Sequence, residues 1–203
     1  MKRLFAAALT LALCLVLTAC AKGATPSDSD IPNTPDASGV VTQEPLTLDA
    51  LNVEFAVGGR DPDALLALRA AFSQALIDAL AAQNIDVGGV NVTFGASDEA
   101  TAEAVRSGAV DIGFLAAEAY FAYAPEQAVL AIEQGEPDLS LGLIVTAADA
   151  RFADGLRLAL PDLAETLTAY TGEAAGGAYT YDENLLAQLL ALYEAEAEET
   201  THP

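Results

Sequence analysis

From Leu48 onward the sequence switches repeatedly between a hydrophobic period of two and one near that of a helix. This restricts the chain to folds in which strands and helices take turns. Asn52-Val53-Glu54-Phe55-Ala56-Val57 alternates polar and apolar, the pattern of a strand with one buried face. Gly58-Gly59-Arg60-Asp61-Pro62 breaks it, with Asp61 suited to cap a helix and Pro62 to its first position. Leu65, Leu68, Phe72, Leu76 and Leu80 then recur at helical spacing. Gly88-Gly89 punctuates, and Val90 to Phe94 predicts a second strand. Ser97 can cap a second helix, with Asp98 and Glu99 favouring the positive end of its dipole and Arg106-Ser107-Gly108 ending it. Val110 to Leu115 predicts a third strand. A short helix through Tyr120 and Tyr123 stops before Pro125.

Two further apolar runs, Ala128 to Ile132 and Leu139 to Thr146, read as strands, and Asp162 to Tyr170 as a helix. Thr180-Tyr181-Asp182-Glu183 has a capping-box pattern ahead of Leu185, Leu186, Leu189 and Leu192. The acidic stretch Glu194 to Glu199 reads as a solvated or fraying end. The expected fold is α/β: a single open, mainly parallel sheet with covering helices, followed by C-terminal helices. Ligands of such sheets sit outside the carboxyl ends of the strands. Here those ends are Gly58 to Asp61, Gly95 to Asp98 and Ala116 to Tyr120.

The N-terminal region has a different character. Lys2 and Arg3 precede an uncharged, mostly apolar run from Leu4 to Ala19, shorter than the roughly 20 residues a membrane helix needs and suited to a secretory signal. It ends Leu17-Thr18-Ala19-Cys20, which resembles the bacterial lipobox, so residues 1–19 are expected to be removed and Cys20 to carry lipid. Cys14 would leave with the signal, so no disulfide can form within one mature chain. Residues 20–47 hold Pro26, Pro32, Pro35 and Pro45 among Ser, Thr, Asp and Gly, without apolar periodicity, and read as a disordered tether. A coil of about 27 residues has an end-to-end distance of about 30 Å. The folded part is expected over 48–199, with 200–203 a disordered tail.

Composition sets limits on partners. Hydrophobic residues are 53% and charged residues 19%, enough to build a core. The net charge is −22, and losing Lys2 and Arg3 with the signal takes it to −24. Nucleic acid, which requires clustered Lys and Arg, is therefore not an expected partner. An anionic lipid surface would also repel the chain, so attachment to the membrane depends on the lipid anchor, and stable anchoring takes more than one acyl chain. Nothing indicates an enzyme. The one histidine, His202, lies next to the C-terminus, and no His or Cys group has metal-ligand spacing. No cofactor is called for.

Val92-Thr93-Phe94-Gly95-Ala96-Ser97-Asp98, then Ala104-Val105-Arg106-Ser107-Gly108-Ala109-Val110-Asp111-Ile112-Gly113-Phe114-Leu115 and Tyr120, resembles the substrate-binding lipoproteins of phosphate, phosphite and phosphonate ABC importers. The resemblance covers about 75 residues, Leu51 to about Pro125. It implies one lobe of a type 2 periplasmic-binding-protein-like fold, a small anionic solute of the phosphonate or phosphate class, an ABC permease as partner, and an extracytoplasmic place on the bacterial membrane. In that family a second lobe, inserted after a crossing strand, supplies a Ser- and Thr-rich helix start that binds the phosphoryl oxygens. Fewer than 60 residues follow Thr146, which leaves no room for that lobe. The family's turn tyrosine falls at Asp98, and Glu118 lies nearby, so two carboxylates stand where a dianion would bind.

The residues expected at a ligand are Gly59, Arg60, Ser97, Asp98 and Tyr120, each with a plainer role beside it. Gly58-Gly59 is first a strand-ending turn, Arg60 a surface charge, Ser97 an N-cap, and Asp98 a complement to the helix dipole. Glu118 reads as a solvated carboxylate and Asp111 as a local hydrogen-bonding group, while packing and ligand contact stay open for Tyr120. Two functions follow. One is a solute-binding lipoprotein of a phosphonate-type importer, reduced to one lobe. The other is a non-transport interaction lipoprotein that keeps the fold without the ligand. A pair of chains rebuilding one cleft is a third, lesser possibility.

Overall fold

The computed structural model describes residues 44–57, 62–171 and 179–201, all within one compact unit, Thr42–Pro203. Residues 1–43, with the expected signal, Cys20 and most of the expected tether, residues 58–61 with Gly59 and Arg60, and His202 lie outside the described residues. The elements are β1 (Leu46–Leu48), β2 (Leu51–Ala56), α1 (Pro62–Ala82), β3 (Ile85–Val87), β4 (Val90–Gly95), α2 (Asp98–Arg106), β5 (Ile112–Ala116), α3 (Ala117–Tyr123), β6 (Ala128–Glu133), β7 (Gly142–Thr146), α4 (Ala153–Thr171), β8 (Tyr179–Thr180) and α5 (Glu183–Thr201).

The strands form a six-stranded sheet in the order β4-β2-β5-β7-β6-β8. β4, β2 and β5 pair in parallel, β7 is antiparallel to both its neighbours, and β8 is antiparallel to β6. Four of the six strands, β4, β2, β5 and β6, therefore point the same way, and β7 runs back between two of them. The α/β architecture is the one expected, and the sheet is mixed where it had been read as mainly parallel. Period-two patterning marks a strand, but which strands become neighbours depends on contacts far apart in sequence. A separate two-stranded parallel sheet joins β1 to β3.

Helices cover both faces. On one, α1 and α4 pack on Val53, Phe55, Ile112 and Phe114, all buried. Phe55 stacks on Phe114 with ring centroids 4.1 Å apart, and Phe72 of α1 meets both edge-on, 5.0 and 5.6 Å away. On the other, Ala102 and Val105 of α2, Ala119 and Tyr120 of α3, and Leu185 and Leu189 of α5 pack with Ala56, Leu115, Leu143 and Val145. Covered on both sides, Ile112 to Leu115 of β5 is apolar throughout and does not alternate. By length and composition α1 could cross a membrane, but Leu65, Leu68, Phe72, Leu76 and Leu80 are buried in this core.

Several boundaries differ from expectation. Leu46–Leu48 pairs with Ile85–Val87, so the folded part begins inside the stretch read as tether. Three-residue strands carry too little periodicity to be read, and β8 escaped for the same reason. α4 begins at Ala153, not at Asp162, and runs through Pro161. The proline forfeits one helical hydrogen bond, but Leu156, Ala159, Leu160, Leu163 and Leu167 bury one continuous face across it. The cap of α5 is Asp182, whose Oδ1 accepts from the Asn184 and Leu185 amides at 2.9 and 3.1 Å; Thr180 belongs to β8. α5 continues through Glu194–Glu199, exposed but helical, to Thr201, beyond the boundary expected at residue 199.

Candidate functional site

The carboxyl ends of β2, β4 and β5 lie at one edge of the sheet, and residues that follow β4 and β5 line the site. Ser97 is extended, with φ −156° and ψ 169°, and caps α2 by accepting the Ala100 amide at 3.2 Å. Its hydroxyl also holds the Glu99 carboxyl below the usual range. Ser97 thus serves as the helix cap that its plainer reading gave it. At the other end Gly108, with φ +74°, carries the left-handed turn. The Gly108 and Ala109 amides bond back to Val105 and Ala104, a glycine C-cap as expected.

Asp98 does more than complement the dipole. Its Oδ1 accepts the Ala116 amide at 2.6 Å, so the first turn of α2 is tied to the point where β5 becomes α3. Asp111 accepts the amide and the side-chain amide of Asn52 at 2.7 and 3.2 Å, the local role expected of it, just ahead of β5 and not within a strand.

Tyr120 is buried, and its hydroxyl lies within hydrogen-bonding reach of the Pro125 and Gln127 carbonyls at 3.2 and 2.9 Å. Burial, and secondarily Tyr181, raises its pKa. Its hydroxyl therefore fastens α3 to the turn before β6. It is not brought together with Asp98. The hollow beside Asp98 is lined instead by Glu99, Ala116, Glu118, Ala119, Ala122, Tyr123 and Tyr193, and encloses about 230 Å³. Tyr123 is one helical turn beyond Ala119 and shares its face. That spacing could have picked out Tyr123, but which face of α3 meets the hollow is decided only by packing. Tyr193, from α5, carried no local signal at all.

The electrostatics of the hollow are one-sided. Among the described residues Asp98, Glu99 and Glu118 line it, and no Lys or Arg does. The described arginines are placed elsewhere: Arg106 on Glu103, Arg157 on the Val129 carbonyl, and Arg69 over the Phe94 ring, while Arg151 lines a separate hollow with Glu44. A phosphate or phosphonate dianion would meet a negative field there, and none of the described cations lines the hollow to neutralise it. The hollow is also smaller than the roughly 300–1,000 Å³ of ordinary ligand pockets. Among the described residues no group of three or more His, Cys, Asp or Glu is placed to hold a metal ion.

Beneath this edge lies a polar contact that the sequence did not flag. Glu54 of β2 accepts the hydroxyls of Thr101 at 2.9 Å and Thr93 at 3.1 Å, and Thr101 is fully buried on the inner face of α2. A Cβ at Gly95 would stand 2.1 Å from Thr101 Oγ1 and 2.7 Å from Glu54 Oε1. The close approach of Thr101 and Glu54 is thus enough to require the glycine of Gly95-Ala96-Ser97.

No protein-family model matches the chain, and no curated protein matches its sequence.

Proposed function

We propose that this chain is an exported, lipid-anchored lobe of the binding-protein type that works by contact with a partner protein, without capturing an oxyanion. The observation that carries the reading is the hollow at the carboxyl edge, where the described residues bring three carboxylates and no cation to the place at which the resembled family holds its anion. The Leu17-Thr18-Ala19-Cys20 sequence supports export and a lipid anchor at Cys20, and so an extracytoplasmic place on the membrane. No catalytic role is proposed.

The test is isothermal calorimetry on a soluble form starting at Thr42, which keeps β1 intact, against phosphate and 2-aminoethylphosphonate. Silence at millimolar ligand, from protein shown to be folded, is the expected result. Micromolar binding would overturn it and restore the second reading, a single-lobe solute-binding component of a phosphonate-type importer. The Gly95 to Tyr120 run favours that reading. There Arg60, Ser97 and Asp98 would be the first positions to change.

A further inference from the structure

We infer that the groove between α3 and α5 is the docking surface, and that its occupant is a basic amphipathic segment of the partner protein. This rests on the contact-protein reading above and names the face and the chemistry.

Tyr120, Phe121 and Pro125 line the groove from the α3 side, and Leu186, Ala187 and Leu190 from α5. It has room for about 340 Å³, and among the described residues its one charged lining residue is Glu183. A small-molecule site would place several polar groups to fix orientation, and this groove offers none beyond that carboxylate. An open apolar trough between two helices suits the apolar face of a third. Leu190 is 42% exposed at its rim, while its neighbour Leu189 is fully buried in the core.

Charge selects the occupant. Glu183 lines the groove, Glu194 follows one turn beyond Leu190, and Glu126 follows Pro125 in the chain and lines an adjoining hollow, all exposed. The Phe121–Tyr193 contact, 5.5 Å between centroids, joins the groove to Tyr193 and so to the hollow of Asp98, Glu99 and Glu118. The neighbouring cation, Arg106, donates to Glu103. α5 contains no Lys, Arg or His, and Glu194, Glu196, Glu198 and Glu199 stand near its C-terminus, where the helix dipole is already negative. Cations are what that end of a helix attracts. A second copy of the chain would bring like charge against like, and an anionic lipid surface would be repelled. A segment with apolar residues at helical spacing and Lys or Arg beside them satisfies both the trough and its rim.

The experiment places a benzophenone side chain at Leu190 in the full-length, lipidated protein in its own membranes. A control places it at Leu158, which is 67% exposed on α4, on the opposite face of the sheet. After irradiation the crosslinked peptide is identified by mass spectrometry. The expected adduct at Leu190 is a Lys- or Arg-bearing amphipathic peptide. Its yield should fall severalfold in about 1 M salt, where the screening length is about 3 Å, and it should be absent at Leu158. An acidic or uncharged peptide, a lipid, a second copy of this chain, or equal capture of the basic peptide from both positions overturns the inference. Capture of a partner at Leu158 alone leaves the contact-protein reading standing and this face wrong. Capture of no protein at either position removes both.

Discussion

Gly95→Ala is expected to destabilise the folded unit by about 3 kcal/mol, and the structure says why. The backbone there is not left-handed, so alanine meets no conformational barrier and would lower the entropy of the unfolded chain, a gain of about 0.4–1 kcal/mol. Against this, the new methyl falls 2.1 Å from Thr101 Oγ1. Thr101 is β-branched, fully buried and part of α2, so it cannot swing away cheaply. Overpacking of this kind costs about 1–3 kcal/mol. Losing the bond to the Glu54 carboxylate costs about 1.5–3 kcal/mol more. Glu54 itself can yield, because its carboxylate is the end of a flexible side chain and keeps Thr93 at 3.1 Å. The obstacle is therefore one atom, and removing it should remove the penalty. On a Thr101→Ala background Gly95→Ala should cost less than about 1 kcal/mol, a coupling of about 2 kcal/mol between the two sites. The chain has no tryptophan, so urea unfolding of the four proteins of the cycle would be followed by far-ultraviolet circular dichroism. Effects that add within about 0.5 kcal/mol would refute the steric argument and return Gly95 to an unexplained turn glycine.

Asp98→Ala should leave the Ala116 amide without its acceptor and cost about 1–3 kcal/mol, whereas Asp98→Asn keeps an acceptor and should cost less; thermal unfolding of the two variants decides it. Tyr120→Phe should flatten the alkaline limb of the stability profile. The folded pKa of Tyr120 is raised above its unfolded value near 10. Its contribution is therefore fully present below about pH 10 and is lost as pH rises through the folded pKa. Urea midpoints at several alkaline pH values that fall equally in Tyr120→Phe and the parent would contradict this.

The parts of the fold that could be read in advance are those whose causes are local. Asn52 to Val57 alternates because one face of β2 carries Val53 and Phe55 into the core while Asn52 is exposed to water. α1 and α2 follow from apolar spacing, from Ser97 and from Gly108, each acting within a few residues of itself. β1, β3 and β8 were missed because two or three residues hold no period. α4 was shortened at Pro161 because a proline argues locally for a break, and only burial against α1 overrules it.

The site was legible in part. Ser97 and Asp98 stand at the edge where parallel strands end, as their position after β4 requires. Tyr120 was placed in the right helix but belongs to its other face, and its hydroxyl is taken up by two carbonyls. Glu99 and Tyr123 were neighbours of the expected residues, while Tyr193 came from the far end of the chain.

Sequence alone determined the alternation of strand and helix, the ends of α2, and an excess of negative charge, because periodicity, capping and charge are properties of short stretches or of the whole composition. The return of β7 between β5 and β6, the tie from Asp98 to Ala116, and the gathering of three carboxylates at one hollow were decided only by tertiary structure. Each of these needs residues from separate elements to meet, and no local pattern records which surfaces will be buried together.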